Sequence, residues 1–332
     1  MHVAVIGAGS WGTGLASLIA DRNEVCLWSR RDDLATSINV GRENSDYLPG
    51  YRLPDALRAT SSIAEALGGA ELVMFAVPSH GMRHVVEQGA GLIAGEVPIL
   101  SLAKGLESTT LMRMTEIING VLPGHQQERV GVLTGPNLVR ELIAGQPGAS
   151  VIAMADAECA TRVQCDLMND TLRIYTNPDV VGCEVAGVTK NIIAIAVGMA
   201  DGMGYGDNTK AALMTRGLAE VTRMGVALGG DPSTFIGLAG VGDLVATCVS
   251  ETSRNRRVGI ELGRGRTLEA IVRDTRMVAE GVRSAESVLE LARSAGVEVP
   301  IAEQVASVLH GRSRPADLVA ALMGREAKSE RQ

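Results

Sequence analysis

The sequence predicts an α/β protein built in two parts: an open parallel sheet wound with helices up to about residue 178, then an all-helical second half. Three observations carry this. Up to Asn177-Pro178, short apolar runs alternate with helix-period stretches, the order that builds βαβ units. A glycine-rich turn follows the first of those runs directly. Beyond Val180 no clear strand pattern remains, only long helical periods. The length, 332 residues, exceeds one compact core and agrees with two domains, residues 1–178 and 179–332.

Val3–Ile6, Val25–Trp28, Leu72–Val77, Ile99–Leu102, Val130–Leu133, Ser150–Ala153 and Leu172–Tyr175 read as strands. Their apolar character, without in-out alternation, is that of strands covered on both faces. Trp11–Asp21 and Leu111–Asn119 read as helices between them. In the second half Val188–Met199, Asn208–Leu228 and Ala285–Ala295 have helical period. Asp207 or Asn208 is the expected cap of the second of these, with Gly229-Gly230 ending it and Pro232 following. The charged tail from Arg325 is expected to fray.

Composition narrows the function classes. At 46% hydrophobic and 21% charged residues, the chain is globular rather than disordered. Aromatics are only 2%, so Ala, aliphatic side chains and Met fill the core. A net charge of −7 argues against a nucleic-acid partner, yet a small anionic substrate needs only a few local cations. Five scattered cysteines (Cys26, Cys159, Cys165, Cys183, Cys248) form no CxxC pair and no metal-ligand spacing. That fits a reducing compartment and no metal. The N-terminus lacks the pattern of a secretory leader, and the apolar stretch near Ile192–Ala200 is short for a membrane span. The expectation is a cytoplasmic protein without membrane insertion.

Gly7-Ala8-Gly9-Ser10-Trp11-Gly12 opens a helix straight after Val3–Ile6. Gly7 permits the tight turn, Gly9 lets a pyrophosphate approach the backbone, and Gly12 lets helix and strand pack closely. The helix N-terminus, with Ser10 and Trp11 in its first turn, then offers N–H groups and a positive dipole end to the phosphates. In this context the motif marks a Rossmann-like dinucleotide-binding domain. An acid is expected at the end of the second strand to hold the ribose diol of NAD. Here Ser29-Arg30-Arg31 stands in its place. An arginine there pairs with a 2′-phosphate, which favours NADPH over NADH; the other reading is two solvated arginines ahead of Asp32-Asp33.

The motif is joined by Val77-Pro78-Ser79-His80, Ala103-Lys104-Gly105-Leu106-Glu107 and Thr134-Gly135-Pro136-Asn137. Then come Val188-Thr189-Lys190-Asn191, the run from Asn208 to Gly217, Gly240-Val241-Gly242-Asp243-Leu244 and Ser253-Arg254-Asn255-Arg256. In this order, over residues 2 to about 325, the chain resembles the bacterial NAD(P)-dependent glycerol-3-phosphate dehydrogenases. The resemblance implies a hydride transfer between NAD(P)(H) and C2 of dihydroxyacetone phosphate or sn-glycerol 3-phosphate, and a homodimer.

It also implies roles for single residues, which the reaction's needs can be set against. Ketone reduction requires a proton donor and an anchor for the substrate phosphate. Lys190 matches the family's catalytic lysine, although alone it also reads as a surface lysine on an amphipathic helix. Lys104 follows a strand at the carboxyl end, where open sheets bind ligands, and matches a lysine touching cofactor and substrate; its bland reading is a solvated loop cation. Asp243 resembles a substrate-site acid that orients Lys190, and equally suits an N-cap. Thr247 lies one turn on. Ser253 reads as the cap of a helix Arg254–Leu262 whose N-terminus faces an anion, and Arg254 offers a fork for phosphate. Arg256 and Arg257 read as a solvated basic face. By resemblance, Gly135, Asn137, Asn191 and Asn255 join the substrate site, and Val139, Arg254, Val278 and Glu280 touch the cofactor.

Some positions depart from the family pattern. Asn137 stands where a hydroxyl residue is usual, Leu138 where Phe is, Val139 where Ala is, and Gly14 where Ala is. The larger Val139 puts its cofactor contact in doubt. A related two-domain dehydrogenase acting on a hydroxy acid or hydroxyacyl substrate shares the cofactor motif and an interdomain lysine. It has no reason to carry both Asp243 and Ser253-Arg254-Asn255. A catalytically silent NADP(H)-binding sensor needs neither Lys190 nor Lys104.

Overall fold

The computed structural model describes residues 1–274 and 279–318, so Val278 and the tail from Arg325 lie outside the described residues. Strands β1 (His2–Ile6), β2 (Glu24–Trp28), β3 (Arg58–Thr60), β4 (Leu72–Phe75), β5 (Ile99–Ser101), β6 (Val130–Thr134), β7 (Gly148–Ala153) and β8 (Leu172–Asn177) form one sheet. Their order is β3-β2-β1-β4-β5-β6-β7-β8. The winding reverses between β1 and β4, which opens the crevice where such sheets bind ligands. Val3 and Val5 pack into one apolar cluster, Ala4 and Ile6 into another. Both faces of β1 are therefore covered, which is why its sequence runs apolar without alternation.

Two strand expectations need correction. β7 runs antiparallel to β6, while the other pairs are parallel. The connection, residues 135–147, carries the short helix Val139–Ile143 along the carboxyl end, so the chain re-enters the sheet from the end it left. β8 is an edge strand with Leu172 and Ile174 inward and Arg173 and Tyr175 exposed, not one covered on both faces. β3 escaped notice because it has three residues and starts on an exposed arginine.

Helices α1 (Ser10–Ile19), α2 (Asp32–Gly41), α3 (Ile63–Leu67), α4 (Met82–Gly89), α5 (Met114–Val121), α6 (Val139–Ile143) and α7 (Ala157–Leu167) accompany the sheet. α5 starts three residues after its expected start, because Leu111 takes a left-handed φ of 60°. Glu116 then accepts from the Arg113 N–H at 2.8 Å, closing the first turn.

The second half is helical: α8 (Val180–Gly202), α9 (Asp207–Ala227), α10 (Pro232–Phe235), α11 (Asp243–Val249), α12 (Arg254–Gly263), α13 (Leu268–Asp274), α14 (Glu280–Ser294) and α15 (Pro300–Leu309). A π-type turn, Leu238–Gly242, leads into α11. α8 is apolar on all sides because α9, α11, α12, α14 and α15 surround it. Its 23 residues are long and apolar enough to cross a membrane, longer than the sequence reading allowed, but 83% of the tested window is buried inside the protein. The cap of α9 is Gly206, with no side-chain bond, rather than Asp207 or Asn208; Asp207 pairs with Lys210 instead.

Two features fix α8. At its start, the buried Glu184 accepts from Arg113 Nη1 (2.8 Å), Thr115 N (3.0 Å) and Thr115 Oγ1 (2.5 Å), tying it to α5. Farther along, α12 crosses it with backbones in contact. A Cβ on Gly198 would lie 2.2 Å from the Arg256 carbonyl oxygen, and one on Gly259 2.2 Å from that of Ile195. Gly202 and Gly263 continue the crossing one turn on.

Candidate active site

Three elements bring four side chains into one cluster. Lys190 sits mid-α8, Asp243 opens α11, Thr247 follows one turn later, and Lys104 lies past the end of β5. Lys190 Nζ donates to Asp243 Oδ1 in a very short hydrogen bond and to Thr247 Oγ1 at 2.5 Å. Lys104 Nζ donates to Asp243 Oδ2 at 2.7 Å and to the Gly135 carbonyl at 3.0 Å. One carboxylate thus bridges two ammonium groups. Lys190 is 5% exposed and Asp243 2%, so Lys190 is no surface lysine. The cap of α11 is Gly242, without a side-chain bond, and Asp243 is turned to the lysines instead. Burial disfavours the Lys190 ammonium; Asp243 opposes that and the Lys104 charge adds to it, leaving a pKa of about 8. The group is poised to give or take a proton near neutral pH.

The α8–α12 crossing sets the next group beside this one. Ser253 caps α12, its Oγ accepting from Arg256 N at 3.3 Å. Asn255 Nδ2 donates to Asn191 Oδ1 (2.9 Å), and Asn255 Oδ1 accepts from Gly281 N (3.0 Å). Asn191, beside Lys190, is thereby linked to the start of α14. Arg254 is exposed at the helix N-terminus. Arg256 does not belong to a solvated face as read from sequence: it is half-buried and pairs with Asp201 at 2.5 Å. Arg257 is exposed.

At the end of β6, Gly135 holds φ at 118°, a left-handed backbone that suits glycine. Asn137 Oδ1 accepts from Ser150 Oγ at 2.5 Å. Asn137 Nδ2 and Thr134 Oγ1 are buried without a partner among the described residues, beside the carbonyl that Lys104 holds. Buried polar atoms are rarely left so, which leaves a donor and a hydroxyl open to a ligand.

The cofactor motif lies across the cleft. Gly7 has φ 128°, and a Cβ on Gly12 would come 2.0 Å from the Gly7 carbonyl oxygen. Above Gly9 there is open space, with nothing within 4 Å of a built Cβ. Gly9 is the N-cap of α1 and provides no side-chain bond, so the first N–H groups, those of Ser10 and Trp11 among them, have no side-chain cap and suit a pyrophosphate. Trp11 Nε1 is buried and unpartnered. Ser79 Oγ and Glu280 Oε2 meet at 3.4 Å across the cleft. Arg30 and Arg31 are exposed at the end of β2, Arg31 bound by Asp33 and Asp46. Val139 and Gly14, two departures from the family pattern, explain each other: a Cβ on Gly14 would lie 2.0 Å from Val139 Cγ2. Val139 fills the space that an alanine methyl at position 14 would occupy. Among the described residues no group of three or more His, Cys, Asp or Glu is placed to hold a metal ion.

Comparison with known proteins agrees with this geometry. Residues 2–160 match the family model for the NAD-dependent glycerol-3-phosphate dehydrogenase N-terminus, and residues 179–320 that for its C-terminus. The chain belongs to the NAD-dependent glycerol-3-phosphate dehydrogenase family. Among members of that family, it is 52% identical over 323 residues to the glycerol-3-phosphate dehydrogenase [NAD(P)+] 2 of Sphingopyxis alaskensis, covering 97% of this chain and 96% of the relative. It is 51% identical to the glycerol-3-phosphate dehydrogenase [NAD(P)+] of Streptomyces coelicolor, over 100% of this chain and 98% of the relative. The crystal structure of glycerol-3-phosphate dehydrogenase from Coxiella burnetii superposes with a TM-score of 0.91 at 35% identity, covering 97% and 98% of the two chains.

Several residues of this glycerol-3-phosphate dehydrogenase family fold were not singled out from sequence: Thr134, Glu184, Asn44 and Asp46. The two Gly-x-x-x-Gly spacings, 198/202 and 259/263, are legible in the sequence as a signal of close helix packing. Nothing local marks Asn44, which bonds Ala8 and Thr13, or Asp46, which pairs with Arg31.

Proposed function

We propose that this chain is an NAD(P)-dependent oxidoreductase interconverting sn-glycerol 3-phosphate and dihydroxyacetone phosphate in the cytoplasm, as a homodimer, and supplying glycerol 3-phosphate for phospholipid synthesis. The observation that carries the reading is the buried Lys190–Asp243–Lys104 bridge, beside which Asn191 bonds Asn255 in the first turn of α12. Residues of the glycine turn would hold an NAD(P)(H) whose nicotinamide, when bound, would supply or accept the hydride at C2. In reduction Lys190 gives its proton to the C2 oxygen, and in oxidation takes it back; a pKa of about 8 serves both directions. Asp243 holds Lys190 in place, Lys104 steadies the polarised oxygen, and Thr134, Gly135, Asn137 and Asn191 line the substrate. Ser253, Arg254 and Asn255 hold its phosphate. Residues 1–178 form the cofactor domain, and 179–332 the substrate domain. Arg30 and Arg31 face the adenosine 2′ position, with NADPH favoured. A hydroxy-acid substrate leaves Ser253, Arg254 and Asn255 without a role.

Nicotinamide absorbance followed with dihydroxyacetone phosphate and each reduced cofactor tests the activity. For Arg254→Ala, kcat/KM with dihydroxyacetone phosphate is expected to fall at least about tenfold, since a charge-assisted contact is lost. The rate with unphosphorylated dihydroxyacetone should barely change, and added phosphite should raise wild-type turnover of it but not the variant's. Equal losses on both substrates would place Arg254 on the cofactor instead.

A further inference from the structure

Residues 42–53 form a strap between the glycine turn and the segment after β2. The chain leaves α2 through Arg42, at φ 51°. Two residues on, the wholly buried Asn44 donates from Nδ2 to the Ala8 carbonyl (3.0 Å) and to Thr13 Oγ1 (2.8 Å). Its Oδ1 accepts from Tyr47 N at 3.2 Å, and Ser10 Oγ donates to the Tyr47 carbonyl at 2.6 Å. The strap is therefore bolted to the glycine turn at both Asn44 and Tyr47. Between those anchors stands Asp46, its carboxylate 2.6 Å from Arg31 Nη1. The other edge of the same guanidinium, Nε and Nη2, forks the Asp33 carboxylate at 3.1 and 2.6 Å. Arg31 thus faces two acids, while Arg30 makes no ion pair among the described residues.

The two acids are not equivalent. Asp33 belongs to the first turn of α2, where the helix dipole favours an anion. Asp46 has no such support, and its side chain is 44% exposed. It is held near Arg31 by the strap alone. A 2′-phosphate approaching Arg31 meets the Asp46 carboxylate as a competitor for Nη1 and as a like charge, whereas a ribose carrying hydroxyls meets an acceptor.

We propose that Asp46 is a specificity-determining residue for the cofactor: it engages Arg31 against the 2′-phosphate and so keeps a site built with two arginines open to NAD(H). This rests on the reading that Arg31 faces the adenosine 2′ position. Specificity here is a difference of two affinities, and a repulsive group lowers it as surely as a missing attractive one.

The test is a binding titration read by the fluorescence of the reduced nicotinamide, with no turnover, for wild type, Asp46→Asn, Asp46→Glu and Arg31→Ala. Asp46→Asn keeps the shape of an exposed side chain, so the fold is not at stake. It is expected to tighten NADPH by about two- to fivefold, the worth of one exposed ion pair, with NADH unchanged or weaker. Asp46→Glu should stay near wild type. Arg31→Ala should weaken NADPH selectively. If Arg31→Ala discriminates but Asp46→Asn leaves the NADPH-to-NADH ratio unchanged, the role of Asp46 is overturned and the arginine reading stands. If Arg31→Ala weakens both cofactors equally or neither, the arginine reading falls, and this inference with it.

Discussion

The proposed phosphate end and the proposed adenosine end each carry an exposed arginine, Arg254 and Arg31, and they differ in what surrounds it. Ser253 and Asn255 are 7% and 8% exposed, set by a helix crossing that no side chain larger than hydrogen fits, and linked to Asn191 and Gly281. Arg31 is 45% exposed by side chain and held by Asp46 on a surface strap and Asp33 in the first turn of α2. Burial and backbone packing leave Ser253 and Asn255 one arrangement. The adenosine end exchanges partners at small cost, because exposed ion pairs are worth little. The pre-organised end is suited to demanding one phosphate, and the exposed end to accepting a cofactor with or without one.

The largest effect should come from the buried end. Lys190→Met is expected to lower kcat by about 10²- to 10⁴-fold while NADPH affinity, measured by fluorescence titration, stays within about twofold. Retention of more than about a tenth of wild-type rate would remove Lys190 from the chemistry. The wild-type pH profile sharpens the same point. Oxidation needs neutral Lys190, so its kcat/KM should rise with pH and level off above about 8. Reduction needs the ammonium, so it should be flat below about 8 and fall above. Profiles that do not mirror each other would assign the proton elsewhere.

Next in size is the crossing itself. Gly259→Ala places a methyl 2.2 Å from the Ile195 carbonyl oxygen, and overpacking of this kind costs about 1–3 kcal/mol. Urea unfolding should show that loss. If the two ends are as different as described, KM for dihydroxyacetone phosphate should rise while the Kd for NADPH holds. A parallel loss of both would mean the crossing supports the whole fold and not one end of it.

The smallest effect lies under the cofactor turn. Gly14→Ala should destabilise through the clash with Val139 Cγ2, and Val139→Ala should open a void. The double variant should recover most of both losses, giving a coupling of about 0.5–3 kcal/mol by thermal or urea unfolding. Additive losses would show that the two positions do not compensate.

Much of this was legible beforehand where neighbours along the chain decide the outcome. The glycine turn, the apolar strands and the Ser253 cap of α12 each follow from residues within a turn or two. The misreadings share a cause as well. A parallel β7, a doubly covered β8 and a solvated Arg256 were each inferred from local pattern, and in each a distant partner overrode it: the return path of residues 135–147, the sheet edge, and Asp201. The Asp46 partner of Arg31 was missed in the same way, because it comes from a loop that no periodicity announces.

By itself the sequence determined the two-part build, the cofactor turn and the residue types that the reaction needs, because backbone hydrogen bonding and helix capping are satisfied by near neighbours. Only the tertiary structure decided how those residues act. Lys190 and Lys104 reach Asp243 across 53 and 139 residues of chain, and it is their removal from water together that brings Lys190 to about 8. Val139 answers Gly14, and Asn44 grips Ala8 and Thr13, only because folding brings loops and helices far apart in sequence into contact. Charge pairing and desolvation depend on distance and burial, and neither quantity exists until the chain has folded.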